Sequence, residues 1–208
     1  MCSLFGSYNR EEFRELAKLN SYRGTHSHSV ARYHPDKGLE IVAKDFGPMK
    51  DYDLDPSYFY LGHQQAPTTD NKDTSSIHPA KLSTDYLWHN GIIKDYQVKK
   101  WQSEGSLKSS WDTMWLLHHL QQDGIDAMSR ANGSFACVWY KNEINTLRLF
   151  RNDNCPLYIK GTSFSSTKFE DSISIKVGSV YQLSFQSEWY IIPNMEFKTK
   201  ELFYWSPE

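Results

Sequence analysis

The chain has 208 residues, 39% of them hydrophobic, and a formal net charge of -2. That is enough for one domain with a sizeable core, and it lacks the basic excess that marks nucleic-acid binding. No apolar run approaches a membrane span, and the first residues lack the basic-then-apolar layout of a secretory leader, so neither a membrane nor secretion is expected.

Cys2 to Tyr8 is predicted as a short strand. Asn9 then caps a helix, with Glu12 three residues on as its capping-box partner, and Phe13, Leu16 and Ala17 form the apolar face. Arg23-Gly24 closes that helix. Ser27 to Tyr33 and Leu39 to Phe46 are strand-like around the turn His34-Pro35-Asp36-Lys37-Gly38. Tyr58 to His63 is almost continuously apolar, as expected of a strand buried on both faces. Ala66 to Pro79 is a polar loop. Asp85 to His89 is a short strand running into Asn90-Gly91, a strong turn signal. Lys94 to Trp101 is weakly helical. The best helix starts at Ser110 or Trp111 and runs to Gln122, with Met114, Leu117 and Leu120 on one stripe. Strands follow at 134–140, 146–150, 157–160, 173–176, 180–185 and 190–192. Helices concentrated in the first half and hairpins in the second indicate an α+β domain with antiparallel sheets, undivided over residues 1–208.

The 3 cysteines are Cys2, Cys137 and Cys155. They are odd in number and hold no Cys-x-x-Cys pair, which predicts neither a disulfide frame nor a zinc knuckle and suits a reducing, cytoplasmic setting. Of the 8 histidines, His26 and His28 share one face of a predicted strand, but no Glu stands at zincin spacing. No metal and no cofactor are expected.

Chemistry concentrates at the beginning. Aminopeptidases remove Met1 when a small residue such as Cys2 follows. Cys2 would then carry a thiol and a free α-amine on one residue. The amine titrates near ~7.7–8.0 and can act as a base, while the thiol is a strong nucleophile. Further along stand Arg23-Gly24, Gly62-His63-Gln64-Gln65-Ala66-Pro67-Thr68, His89-Asn90-Gly91, Trp111-Asp112-Thr113, Ala131-Asn132-Gly133-Ser134-Phe135-Ala136 and Arg151-Asn152-Asp153-Asn154-Cys155-Pro156-Leu157-Tyr158. Taken singly, each has a plain reading. Asn90-Gly91 is a hairpin turn, Asp112 a carboxylate at a helix N-terminus, Arg23 a cation at a helix C-terminus, and Thr68 a loop threonine.

Their joint order over Cys2 to Tyr158 resembles the class II, N-terminal-nucleophile glutamine amidotransferase domains, as in glucosamine-6-phosphate synthase, amidophosphoribosyltransferase and asparagine synthetase. The resemblance implies a four-layer α/β/β/α sandwich of two antiparallel sheets. It implies that Cys2 attacks the glutamine side-chain amide, giving a thioester and then glutamate and ammonia. Asn90 and Gly91 would hold the oxyanion. Asp112 would hold the substrate ammonium, Thr68 would stand near its carboxylate, and Arg23, His63 and His89 would complete the surroundings.

One departure bears on the substrate. The family pattern Gly-His-x-Arg-aromatic-x-Thr has Gln65 and Ala66 at the arginine and the aromatic. That arginine would clamp the α-carboxylate in a charged, bidentate contact, and Gln65 brings no charge. Arg23-Gly24-Thr25-His26-Ser27 also lacks the acidic residue that many relatives carry. The expected partners are therefore a small-molecule amide, glutamine or an analogue, and an ammonia-accepting synthetase in a separate chain, since little sequence follows Tyr158. Two alternatives stand beside this. One is an amidohydrolase acting on a γ-glutamyl or other amide. The other is a catalytically silent binding module, against which Cys2, Asn90, Gly91 and Asp112 speak. The aromatic tail Leu202-Phe203-Tyr204-Trp205 reads as a last strand or a docking surface.

Overall fold

The computed structural model describes residues 2–66 and 74–200. Among them the elements run β1 (Ser3–Ser7), α1 (Arg10–Asn20), β2 (Ser27–His34), β3 (Gly38–Phe46), β4 (Phe59–Gln65), β5 (Ala80–Leu82), β6 (Asp85–Ile93), α2 (Asp95–Glu104), α3 (Asp112–Asp123), β7 (Gly133–Lys141), β8 (Thr146–Arg151), β9 (Tyr158–Lys160), β10 (Ser163–Ser165), β11 (Ile173–Ser174), β12 (Ser179–Phe185) and β13 (Trp189–Glu196). They form two sheets, β11-β9-β10-β1-β4-β2-β3 and β13-β12-β8-β7-β6-β5. Each hydrogen-bonded pair is antiparallel. The tail at 202–205 lies outside the described residues.

Strand periodicity builds the layers. In β7, Ala136, Val138 and Tyr140 face one cluster with Leu4, Phe59, Leu61 and Trp88, which fills the space between the sheets. Phe135, Cys137 and Trp139 alternate with them and meet Trp115, Leu116 and Leu120 of α3. Phe5 and Tyr60 turn the other way, onto Phe13, Leu16 and Ala17 of α1. Side chains on successive residues point to opposite faces, so three stacked cores make four layers. The expected α+β, α/β/β/α sandwich of two antiparallel sheets is the fold found.

Several elements differ from the sequence expectation. Asn9 does cap α1, its Oδ1 accepting from the N–H groups of Glu11 and Glu12 at 2.9 and 3.1 Å. Glu12 does not close a capping box. Its carboxylate instead accepts from the hydroxyls of Ser7 (3.2 Å) and Ser163 (2.5 Å), tying the helix start to β1 and β10. The helix ends at Asn20, whose Nδ2 donates to the Leu16 carbonyl and to Ser165 Oγ, both at 2.8 Å. A single 3-10 turn, Ser21–Arg23, intervenes before Gly24. Asn90-Gly91 is not a hairpin turn: β6 runs through it in continuous register with β7, Asn90 opposite Ala136 and Gly91 opposite Phe135. β5 and β10 were not anticipated, being three residues each.

Trp88 has no exposed surface (0%), and its indole N–H donates to Ser29 Oγ at 3.3 Å across the gap between the sheets. Trp88→Ala should lower the unfolding free energy by about 3–5 kcal/mol, as large-to-small core changes do. Urea titration measures it; a loss below about 1 kcal/mol would mean that the two sheets are not packed against each other there.

Candidate active site

Cys2 sits just before β1, and β1 lies between β10 and β4. Arg23 Nε donates to the Cys2 carbonyl at 3.1 Å. Gly24 is what lets Arg23 come so near. A Cβ on Gly24 would stand 2.4 Å from the Gln65 carbonyl carbon and 2.5 Å from the Ala66 nitrogen, so only glycine permits this contact between the first helix's exit and the end of β4. The same contact brings the Ala66 N–H to the Cys2 sulfur. Cys2 is 8% exposed. Burial pushes its thiol above the usual range and the nearby Asp112 carboxylate adds to this, while the Ala66 N–H and the Arg23 charge pull the other way. Such a thiol is protonated at neutral pH and needs a base before it can attack. Cys137 and Cys155 are also buried, and burial raises both.

Asn90 shares the inter-sheet face of β6 with Trp88 and approaches the strand that carries Cys2 from the opposite sheet. Its Nδ2 donates to Ser166 Oγ at 3.3 Å. Gly91 has φ +144, and a Cβ there would lie 2.0 Å from the Ser134 carbonyl oxygen. Phe135, opposite Gly91, turns both its backbone groups toward β8: its N–H donates to Asn152 Oδ1 at 3.0 Å and its carbonyl accepts from the Asn152 N–H at 2.9 Å. The Gly91–Phe135 pair is therefore of the kind without ladder bonds. The Gly91 N–H points away from β7, on the side where β5 has already ended, β5 pairing only with Asp85–Leu87.

Asp112 opens α3, and its side chain is 22% exposed. Its Oδ2 accepts from the Ile93 N–H at 3.0 Å and its Oδ1 from the Thr113 N–H at 2.7 Å. Two fixed backbone donors at the helix N-terminus set the direction of the carboxylate.

Gln65 is bound inward. Its Nε2 donates to the Ser76 carbonyl at 3.4 Å and its Oε1 faces His78 Nδ1 at 3.1 Å. From His78 the contacts continue through Nε2 to Thr113 Oγ1 (3.1 Å), then to His89 Nδ1 (3.2 Å), and from His89 Nε2 to the Ser134 carbonyl (3.2 Å). Thr113 Oγ1 also donates to Asp112 Oδ1 at 3.3 Å. The His63 ring packs against His78, centroids 4.2 Å apart and the ring planes tilted by 39°. It has no exposed surface (0%), and neither ring nitrogen has a well-formed hydrogen bond, although the His89 backbone lies close. Desolvation pushes His63 down to about 3 and His78 well below the usual histidine value, with neighbouring histidines and Lys44 adding to the push. The wall behind Gln65 is thus a neutral one.

Most of the residues expected from sequence therefore converge: Cys2, Arg23, Gln65, Asn90, Gly91 and Asp112 surround one region at the ends of β1, β4 and β6. His63 and His89 lie beneath it as supports. Thr68 lies outside the described residues. His28 is a packing residue whose Nδ1 meets the Gly47 carbonyl at 3.0 Å and whose Nε2 meets the Tyr52 hydroxyl at 2.6 Å. Among the described residues no group of three His, Cys, Asp or Glu is arranged to hold a metal ion, and no helix is long and apolar enough to cross a membrane. Sequence reading missed His78, Thr113 and Ser166. The apolar run Ile77-His78-Pro79-Ala80 closing a polar loop was the available sign for His78.

Residues 68–169 match the family model of a glutamine amidotransferase domain. Among 35 matching chains of solved structures is the glutamine phosphoribosylpyrophosphate amidotransferase of B. subtilis, complexed with ADP and GMP. It superposes with a TM-score of 0.68 at 16% identity, over 93% of this chain. The present chain spans 49% of the length of that one. No curated protein sequence matches. Over the matched segment the expected resemblance to a glutamine amidotransferase domain is borne out, and the solved structure shares the fold over most of the chain.

Two measurements probe this site. His63 and His78 are neutral when folded and take up protons on unfolding below about pH 6.5. Stability should therefore fall as pH drops from there toward about 3, the folded value of His63, at up to roughly 1.4 kcal/mol per pH unit per histidine. Denaturant melts between pH 7 and 5 should show the slope, and His63→Gln should remove about half of it; a flat profile would mean the rings are charged or exposed. Thr113→Val strands His78, His89 and Asp112 together. It should cost about 1–3 kcal/mol of stability and weaken substrate binding; an unchanged Michaelis constant would separate Thr113 from Asp112.

Proposed function

We propose that residues 1–208 act as a single class II glutamine amidotransferase domain with Cys2 as nucleophile. Removal of Met1 frees the Cys2 amine. The amine takes the thiol proton, and the sulfur attacks the amide carbon of the glutamine side chain. The oxygen of the tetrahedral intermediate takes up negative charge between Asn90 Nδ2 and the Gly91 N–H. The amine's proton passes to the leaving nitrogen, ammonia departs, and a thioester remains. Water, deprotonated by the same amine, attacks the thioester and releases glutamate and the thiol. Asp112 fixes the substrate ammonium and Arg23 holds the backbone of Cys2. Ammonia then passes to an acceptor enzyme in a partner chain. A reducing cytoplasm keeps the thiol usable.

The observation that carries this reading is that Cys2, at the start of β1, faces Asn90 and Gly91 on the other sheet, where one N–H of the Asn90 amide is spent on Ser166 and the Gly91 N–H points away from β7. Oxyanion donors act on charge that appears only in the transition state, and removing one typically costs roughly 3–4 kcal/mol of barrier. A second reading has one specific observation in its favour. Gln65 is engaged with His78 and Ser76, and the wall behind it is neutral, so a substrate with its α-carboxylate masked, such as a γ-glutamyl or other amide, loses no ion pair there.

Intact-mass analysis together with ammonia release over a panel of amides tests both. Active protein should lack Met1. Cys2→Ala should abolish turnover and labelling by 6-diazo-5-oxonorleucine, and Asn90→Ala should lower kcat and kcat/KM alike. Fully active protein that retains Met1 would sink the amine-base mechanism. Preference for carboxylate-masked amides over glutamine would select the second reading.

A further inference from the structure

We infer that Ser166 is a positioning residue for the Asn90 amide, holding one of its N–H groups so that the other is aimed at the reacting oxygen. This rests on the oxyanion role proposed for Asn90. Ser166 follows β10 and has no exposed surface (0%). Its N–H donates to the Leu4 carbonyl at 2.7 Å, and its Oγ accepts from the Leu4 N–H at 3.0 Å. Leu4 stands two residues after Cys2, so Ser166 is clipped to the nucleophile's own strand by two hydrogen bonds. The same Oγ accepts from Asn90 Nδ2 at 3.3 Å. Asn90 belongs to the other sheet, so one buried oxygen joins the nucleophile strand to the proposed oxyanion donor.

The requirement is geometric. A carboxamide presents a donor at one end and an acceptor at the other, and the two ends are nearly equal in shape. Rotated by half a turn, Asn90 would aim its carbonyl oxygen at a developing negative charge and repel it. A serine oxygen has two lone pairs. The Leu4 N–H takes one, and the other receives one Asn90 N–H. The second N–H of the same amide then remains for the oxyanion, with its direction set before substrate arrives. Preorganisation of this kind is what makes an oxyanion donor effective.

Four measurements test it. In Ser166→Ala, kcat for the best amide substrate should fall by about 10- to 100-fold while KM moves less than about twofold. Alkylation of Cys2 by iodoacetamide, which involves no oxyanion, should keep its wild-type rate. In an Asn90→Ala background, Ser166→Ala should cost almost nothing more. In wild-type protein, one Asn90 Nδ2 proton should exchange with solvent much more slowly than its twin, a reading that needs no variant if Ser166→Ala fails to fold. An undiminished loss in the Asn90→Ala background, alkylation slowed in parallel with kcat, or two equally fast Nδ2 protons would each overturn the inference. Asn90→Ala costly with Ser166→Ala harmless sinks the Ser166 role alone. No loss in either variant sinks the oxyanion reading as well.

Discussion

The placement of Cys2 depends on how β1 is gripped. β1 pairs with β4 along its length and with β10 at Phe5 and Gly6. Ser166 then extends the β10 side to Leu4, and Arg23 holds the Cys2 carbonyl itself. A residue at the start of a chain is ordinarily the first to fray. Here the strand that follows it is held by β4, β10 and Ser166, its own carbonyl by Arg23, and the sulfur is removed from water. Burial raises the cost of ionising the thiol, so the features that fix its position also make it dependent on a base close by. Position and proton transfer are thus two sides of one arrangement.

The second constraint runs beneath the region around Cys2 and Asp112. Gln65, His78, Thr113 and His89 form a buried chain of contacts from β4, through the segment before β5, to α3 and β6. Buried polar groups must find partners or lose free energy, and each of these side chains is satisfied mainly by the next. Asp112 gains from this in two ways. Its own donors come from Ile93 and Thr113, and Thr113 is held in turn by two imidazoles. The carboxylate's direction is therefore set by packing between β6 and α3, independently of substrate.

The fold was legible in the sequence wherever strands were long and alternating. β2, β3, β7 and β8 fell within one or two residues of expectation, because Ala136, Val138 and Tyr140 against Phe135, Cys137 and Trp139 spell out two buried faces. β10 was not legible, since Ser163, Ser165 and Ser166 carry no apolar pattern; their hydroxyls serve Ser7, Asn20 and Leu4 instead. Asn90-Gly91 misled in the opposite direction. Asparagine and glycine favour a tight turn locally, but the register with β7 overrides that preference and the glycine serves close approach to Ser134. The sequence motifs located Cys2, Arg23, Gln65, Asn90 and Asp112. They did not locate His78, which reaches the site only through tertiary contacts.

Gln65 connects these levels. By charge alone it reads as a lost clamp, an amide where a guanidinium is expected. In the fold its amide is engaged elsewhere. Oε1 meets His78 Nδ1, Nε2 reaches the Ser76 carbonyl, and the side chain is 8% exposed. A guanidinium in its place would sit beside two imidazoles that burial already keeps uncharged. A buried cation without a paired anion costs far more than the neutral amide it replaces. Glutamine at position 65 therefore fits together with His78 and the neutral histidine wall. On the reading proposed above, recognition of a substrate carboxylate would come from another side of the site, with Asp112 left to meet the ammonium end.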